Sequence, residues 1–211
     1  MIEEIKEIAE GYFADAKPTH DWSHVERVYR LALHIGKIEQ ADIELLSIAV
    51  YLHDIKRKLE DELQGGIDHA LEGTKEAKRI LSNFNYQKID EVCHCIETHR
   101  FRSGRKPETI EAKVLHDADR LDVIGAIGIA RAYTFGGENK LQIYPPKPRQ
   151  NLTKADSVYT SDWNAVYEFQ VKLSKVKDSM LTGEGRRMAE GRHAFMVKFF
   201  ERLEDEINGK P

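Results

Sequence analysis

The sequence predicts an all-α fold, and three observations predict it. Apolar residues recur at three- and four-residue steps through most of the 211 positions. No segment alternates apolar and polar residues over a useful strand length, Leu141–Tyr144 being the one short candidate for extended chain. Helix breakers cluster at a few places, chiefly Gly65–Gly66 and the stretch from 136 to 162. The elements then follow in order. Ile2, Ile5, Ile8, Ala9, Tyr12 and Phe13 mark a first helix that ends before Pro18. A second spans about 21–37 on Val25, Val28, Leu31, Leu33 and Ile35, and a third about 41–59 on Leu45, Leu46, Ile48, Ala49 and Leu52. Asp68 can cap a fourth helix carrying Ala70, Ala77, Ile80 and Leu81. A fifth runs from Lys88 to Thr98. The next starts near Pro107 and extends through 121–133, where small and apolar residues predict a buried central helix. Two helices, at about 163–180 and 185–207, close the chain.

Composition bounds the function. The chain carries 32 Lys and Arg against 36 Asp and Glu, a net charge of −4, with a pI near 6.2 and a mean hydropathy of −0.55. That balance excludes a broad basic face for nucleic acid. No apolar run approaches the roughly 18 residues of a membrane span. The acidic, amphipathic start does not read as a signal peptide, so a cytoplasmic protein is expected. Cys93 and Cys95, one residue apart, are expected to be packing residues in a reducing compartment. The length fits one domain, spanning 1–211, able to bury a core without disulfides.

Nine histidines stand against two cysteines. His-Asp occurs three times, as His20–Asp21, His53–Asp54 and His116–Asp117. His53–Asp54 ends an apolar run, where an unpartnered carboxylate would be costly to bury. Neighbours on a helix diverge by about 100°, so the two cannot satisfy each other, yet both can reach one cation off the helix end. His24 opens the preceding helix, which antiparallel packing brings close to the end of the next. Further carboxylates lie in DADRLD, as Asp117, Asp119 and Asp122. Helix capping accounts for one or two of them, and an ion site for the rest.

The order His24, His53–Asp54, Asp119 resembles the HD-domain metal-dependent phosphohydrolase superfamily. The likeness covers most of 18–133 and rests on HDWSHVERV (20–28), AVYLHDI (49–55), THRFR (98–102) and KVLHDADRLDVIGAIGIAR (113–131). The segment at 182–206 is similar to a bacterial and archaeal subgroup of mostly uncharacterised hydrolases, some resembling nucleotide pyrophosphohydrolases. The resemblance implies a helical bundle with core 18–133, a loop at 136–162 and C-terminal helices at 163–208. It also implies His24, His53, Asp54 and Asp119 as metal ligands, with Asp117 as the rival to Asp119. One divalent ion per chain is expected, from among Mn, Fe, Co, Ni, Zn and Mg, all of which accept this nitrogen and oxygen set. Metal-bound water would then attack a phosphate or pyrophosphate of a small phosphorylated substrate, a nucleotide being the leading choice.

Several residues are candidates for the remaining roles. Lys56, Arg100, Arg102, Arg186 and Arg192 could hold phosphate oxygens. Arg57 stands where many nucleotidase-like HD proteins carry a glutamate, which leaves Asp21 and Asp122, both flanking ligands, as candidate bases. His20, His99 and Arg102 are candidate substrate contacts, and Asp54 and Lys56 candidate catalytic groups. His69, His94 and His99 lie where HD proteins with two metals draw extra ligands. Gly136–Gly137 would hinge a loop bearing Tyr144, Pro145–Pro146, Lys147 and Arg149, either as a cover for the site or as a dimer interface. A monomer and a homodimer both fit the sequence. Two other functions share the motif: a non-catalytic metal- or nucleotide-binding sensor and a di-iron oxygenase. The intact ligand set argues against the sensor.

Overall fold

The computed structural model describes residues 1–100, 104–145 and 163–211, and among these every regular element is a helix. The helices are α1 (Ile2–Gly11), α2 (Trp22–Ile38), α3 (Ile43–Leu52), α4 (Arg57–Glu62), α5 (His69–Asn83), α6 (Ile89–Thr98), α7 (Ile110–Leu121), α8 (Gly125–Glu138), α9 (Ala165–Val171) and α10 (Gly183–Ile207). Short 3-10 turns cover Pro18–His20 and Leu173–Ser179. The described residues fall into two compact units. The first comprises 1–119 and 181–185, the second 120–180 and 186–211.

Side-chain caps set several starts in the first unit. Asp21 accepts the His24 N–H at 3.3 Å and begins α2. Asp42 accepts from Glu44 and Leu45 to begin α3. Asp68 accepts the Ala70 N–H at 3.0 Å and begins α5. Each satisfies amide groups that have no partner inside the helix. Helix α3 is apolar on every side and buried from Leu45 to Leu52. It packs against α1, α2 and α6, while α5 packs on α6. Helix α3 is therefore the spine of this unit, and the residues that follow it emerge inside the protein.

The apolar pattern suggested a third helix running to Leu59. The chain instead leaves the helix after Leu52, turns through 53–56, and restarts as α4. The pattern persists across the break because Ile55 is also buried. A second correction concerns DADRLD. It lies at the end of α7, not at the mouth of a core helix, and α8 is a separate helix. Gly125 makes the joint at a φ of +78°, a conformation open to glycine. Helix α8 is also less buried than expected, with Ala126, Ile127 and Ala130 exposed.

Asp117 anchors the other end of the first unit. Its buried carboxylate accepts the Leu181 N–H at 2.9 Å, and the Thr182 N–H at 2.8 Å and Oγ1 at 2.7 Å. Gly185 is required there, since a Cβ would stand 2.4 Å from Asp117 Oδ2.

In the second unit α8 packs on α9, and Trp163, Tyr167 and Val171 form a buried cluster with Leu141. Phe169 stacks on Phe200 at 4.5 Å between ring centres. The expected helix at 163–180 is split into α9 and a 3-10 turn. Gly136 and Gly137 lie inside the last turn of α8, so they do not form the expected hinge. Residues 141–145 form no strand. The rest of the expected loop, with Pro146, Lys147 and Arg149, lies outside the described residues. No helix among the described residues is long and apolar enough to cross a membrane.

Gly128 separates packing from helix propensity. Propensity alone predicts that Gly128→Ala stabilises α8 by about 1 kcal/mol. A Cβ there would meet the Val123 backbone oxygen at 2.3 Å. The expected outcome is a loss of about 1–3 kcal/mol, as for other overpacked sites, read as a lower urea midpoint. A midpoint at or above wild type would contradict this packing.

Candidate metal centre

Five segments of the first unit converge on Asp54. Its carboxylate sits in the turn after α3, buried, and its two oxygens face different partners. Oδ2 lies 3.6 Å from His24 Nε2 and 3.7 Å from His53 Nε2. Oδ1 lies 2.9 Å from His69 Nε2 and 3.5 Å from His99 Nε2. Asp119, on the last turn of α7, adds Oδ1 at 3.4 Å from His24 Nε2. Two sets of donor atoms result, His24–His53–Asp119 and Asp54–His69–His99, each with its atoms within 4.8 Å of one another. His24 comes from the first turn of α2, His69 from the start of α5, and His99 from the residue after α6.

Backbone contacts aim the rings. His53 Nδ1 donates to the Val50 carbonyl at 2.6 Å, and His99 Nδ1 to the Ile96 carbonyl at 2.5 Å. A ring that donates through Nδ1 presents the Nε2 lone pair to the interior, the state a metal ligand requires. The buried His53 Nε2 has no hydrogen-bond partner. Such an atom is costly unless something fills the space in front of it. A divalent cation fits there: neutral imidazole nitrogens and ionised carboxylates are its usual donors.

The electrostatics point the same way. Burial alone raises the Asp54 carboxyl, but His53 and His69, with bonds from His24 and His69, hold it well below the usual carboxylate range. Asp119 is likewise lowered, burial being outweighed by the His24 bond and by His24, His99 and His53 nearby. Burial pushes His53 down to about 4, so it stays neutral near pH 7. His69 moves the other way: burial lowers it, and Asp54 and Glu60 raise it beyond that loss.

The structure thus brings together His24, His53, Asp54 and Asp119, and adds His69 and His99. Other candidates are placed elsewhere. Lys56 Nζ lies 3.8 Å from Glu76 and 5.1 Å over the Tyr12 ring. Asp21 is occupied as the α2 cap and also accepts from Ser23 Oγ. His20 sits beside the centre, its ring 6.3 Å from that of His24 and its Nδ1 3.2 Å from Thr19 Oγ1. Asp122 belongs to the second unit, buried and paired with Arg131 at 2.6 Å. Arg192, in the same unit, donates to the Leu121 carbonyl. His94 accepts the Glu108 N–H at 3.0 Å. Arg102 lies outside the described residues. Arg57 pairs with Asp61 at 3.1 Å.

Glu60 is the residue that sequence reasoning missed. It is buried, accepts from His69 Nδ1, and receives Arg100 Nη1 at 3.1 Å on both oxygens. Within the charged run KRKLEDE it looks like any solvent-facing acid.

Known proteins are similar to this chain over nearly its whole length. The HD domain family model matches residues 21–124. The chain is 34% identical over 214 residues to the uncharacterized protein YpgQ of Bacillus subtilis (strain 168), covering 99% of this chain and 95% of that protein. A crystal structure of Bacillus subtilis YpgQ in complex with ADP is similar at 33% identity, 99% coverage of both chains and a TM-score of 0.75. An HD-superfamily hydrolase from Bacillus thuringiensis is similar at 28% identity, 99% and 97% coverage and a TM-score of 0.76.

The two aspartates of DADRLD should separate cleanly in a titration with Mn. Asp119→Asn is expected to weaken binding by more than about 10-fold, the size of effect seen even for groups supporting a ligand, with stability retained. Asp117→Asn is expected to cost about 2 kcal/mol, through weakened charge-assisted bonds, and to leave Mn affinity unchanged. The reverse pattern would make Asp117 the ligand.

Proposed function

The chain belongs to the HD-domain phosphohydrolase superfamily, and on that premise we propose that it is a metal-dependent phosphohydrolase acting on a small phosphorylated substrate, a nucleotide first among them. The observation that carries the reading is the meeting of buried His24, His53 and Asp54 with half-buried Asp119, in which His53 Nε2 faces the interior unpartnered. In this reading those four side chains hold one divalent ion, and residues 1–211 work as one HD-type domain. Such an ion supplies an acidified water and draws off charge that builds on phosphoryl oxygens.

The chain's own residues supply the rest. Four protein donors leave part of an octahedral shell open to water and substrate. His20, its ring 6.3 Å from that of His24, would donate a hydrogen bond to phosphate oxygens as these gain charge, while His99, whose Nδ1 proton goes to the Ile96 carbonyl, keeps its proposed substrate role only by exchanging that partner. Arg102 stays in the same proposed role. Lys56, held by Glu76, and Asp21, held in its cap, keep their proposed catalytic roles only by exchanging these partners. Asp122 would likewise have to leave Arg131. The nucleotide preference draws support from the ADP complex of YpgQ. A second reading has its own observation: Asp54, His69 and His99 form a second donor set. An ion there would share Asp54 with the first.

The test is a panel of nucleotides and phosphoesters with added Mn or Co, paired with elemental analysis. Wild type is expected to hydrolyse at least one nucleotide, and Asp54→Ala and His53→Ala to fall to background. One metal per chain supports the first reading and two the second. Bound metal with no hydrolysis across the panel would overturn the enzyme and favour a binding module.

A further inference from the structure

Behind His69 lies a chain of contacts that the metal ligands alone do not need. His69 Nε2 reaches Asp54 Oδ1 at 2.9 Å, and its Nδ1 meets Glu60 Oε2, with Arg100 Nη1 3.0 Å from the same nitrogen. Glu60 receives Arg100 on both oxygens at 3.1 Å, and Arg100 also lies 3.5 Å from Asp68. Arg100 directly follows His99, and Asp68 directly precedes His69 and caps α5. One buried carboxylate therefore holds His69 itself and the residue that follows His99. It does so from α4, the helix that begins three residues after Asp54.

From this geometry we infer that Glu60, clamped by Arg100, is the positioning residue that fixes the Nδ1–H form of His69 and aims its Nε2 at Asp54. The inference rests on the metal-centre reading above but not on turnover. An ionised carboxylate can only accept, so a proton must reside on His69 Nδ1 wherever Glu60 is charged. That holds whether Nε2 donates to Asp54 Oδ1 or gives its lone pair to an ion in the second donor set. Carboxylate, imidazole and ligand in series is a known way of orienting a ring and tuning its basicity. Glu60 is suited to this duty by its surroundings: it is buried, and Arg100 Nη1 stands 3.1 Å from each of its oxygens. Arg57, 3.8 Å away, adds a second cation on the same side.

The test uses the full chain and two readouts, with Mn as the probe. In histidine labelled at the ring nitrogens, His69 is expected to show a strongly deshielded Nδ1–H in wild type. That signal should move clearly upfield in Glu60→Gln, where a neutral amide oxygen replaces the charged acceptor, and stay in place in Arg57→Gln. Mn affinity is expected to fall about 10-fold in Glu60→Gln, within the range for groups that support a ligand. Combining Glu60→Gln with His69→Ala should bind Mn no more weakly than His69→Ala alone, because the effect of Glu60 passes through that ring. Wild-type Mn affinity in Glu60→Gln, an additive double variant, or a bare Nδ1 on His69 would each overturn the inference. If Glu60→Gln fails to fold, Arg100→Lys and the wild-type spectrum decide, with a weakened signal expected in Arg100→Lys and an unchanged one overturning the inference. If wild type binds Mn and hydrolyses nothing, the enzyme reading falls while this one stands. If wild type binds no Mn, the ring signal alone decides.

Discussion

A carboxylate with almost no access to water is expensive, and the rest of the first unit is arranged around keeping Asp54 charged. Four imidazoles surround it at 2.9–3.7 Å. They come from α2, the turn after α3, α5 and the end of α6, so those elements must converge for the charge to be tolerated. The apolar helix α3 makes the convergence possible. It delivers His53 and Asp54 into the interior because everything before them, from Leu45 to Leu52, is buried. Asp119 then arrives from α7, its Oδ1 3.4 Å from His24 Nε2.

The same constraint explains how charge is distributed between the rings. His53 is deeply buried and neutral, with its Nδ1 given to a backbone carbonyl. His69 is backed by Glu60 and favours the proton. A neutral ring on one side and a carboxylate-backed ring on the other give Asp54 two unlike faces. The first suits a cation, the second a hydrogen-bond donor or a further ligand. Asp117 has a different duty within two residues of Asp119. It turns away from the centre and holds residues 181–182.

Much of this is legible in the sequence because it is local. The cap at Asp68 and the helical period place the starts of α5 and α2, although the sequence reads Asp21 as a candidate base and the structure makes it the cap of α2. His24, His53, Asp54 and Asp119 are what the family resemblance implies as ligands, and their donor atoms lie 3.4–3.7 Å from one another along the chain of contacts Asp119–His24–Asp54–His53. The failures are non-local. The break after Leu52 is invisible because Ile55 carries the apolar pattern through the turn. The joint between α7 and α8 depends on a positive φ at Gly125, which a run of small residues disguises. Glu60 and Lys56 occupy the same charged run, and only tertiary structure turns one toward His69 and the other toward Glu76. Composition carries no trace of that difference.

Anomalous scattering from a crystal soaked in Mn tests the central claim most directly. The account predicts a peak about 2.0–2.2 Å from His24 Nε2, His53 Nε2 and one oxygen each of Asp54 and Asp119, the usual span for nitrogen and oxygen ligands on a small divalent ion. A fully occupied peak elsewhere in the chain, with these four side chains hydrogen-bonded to water alone, would contradict it.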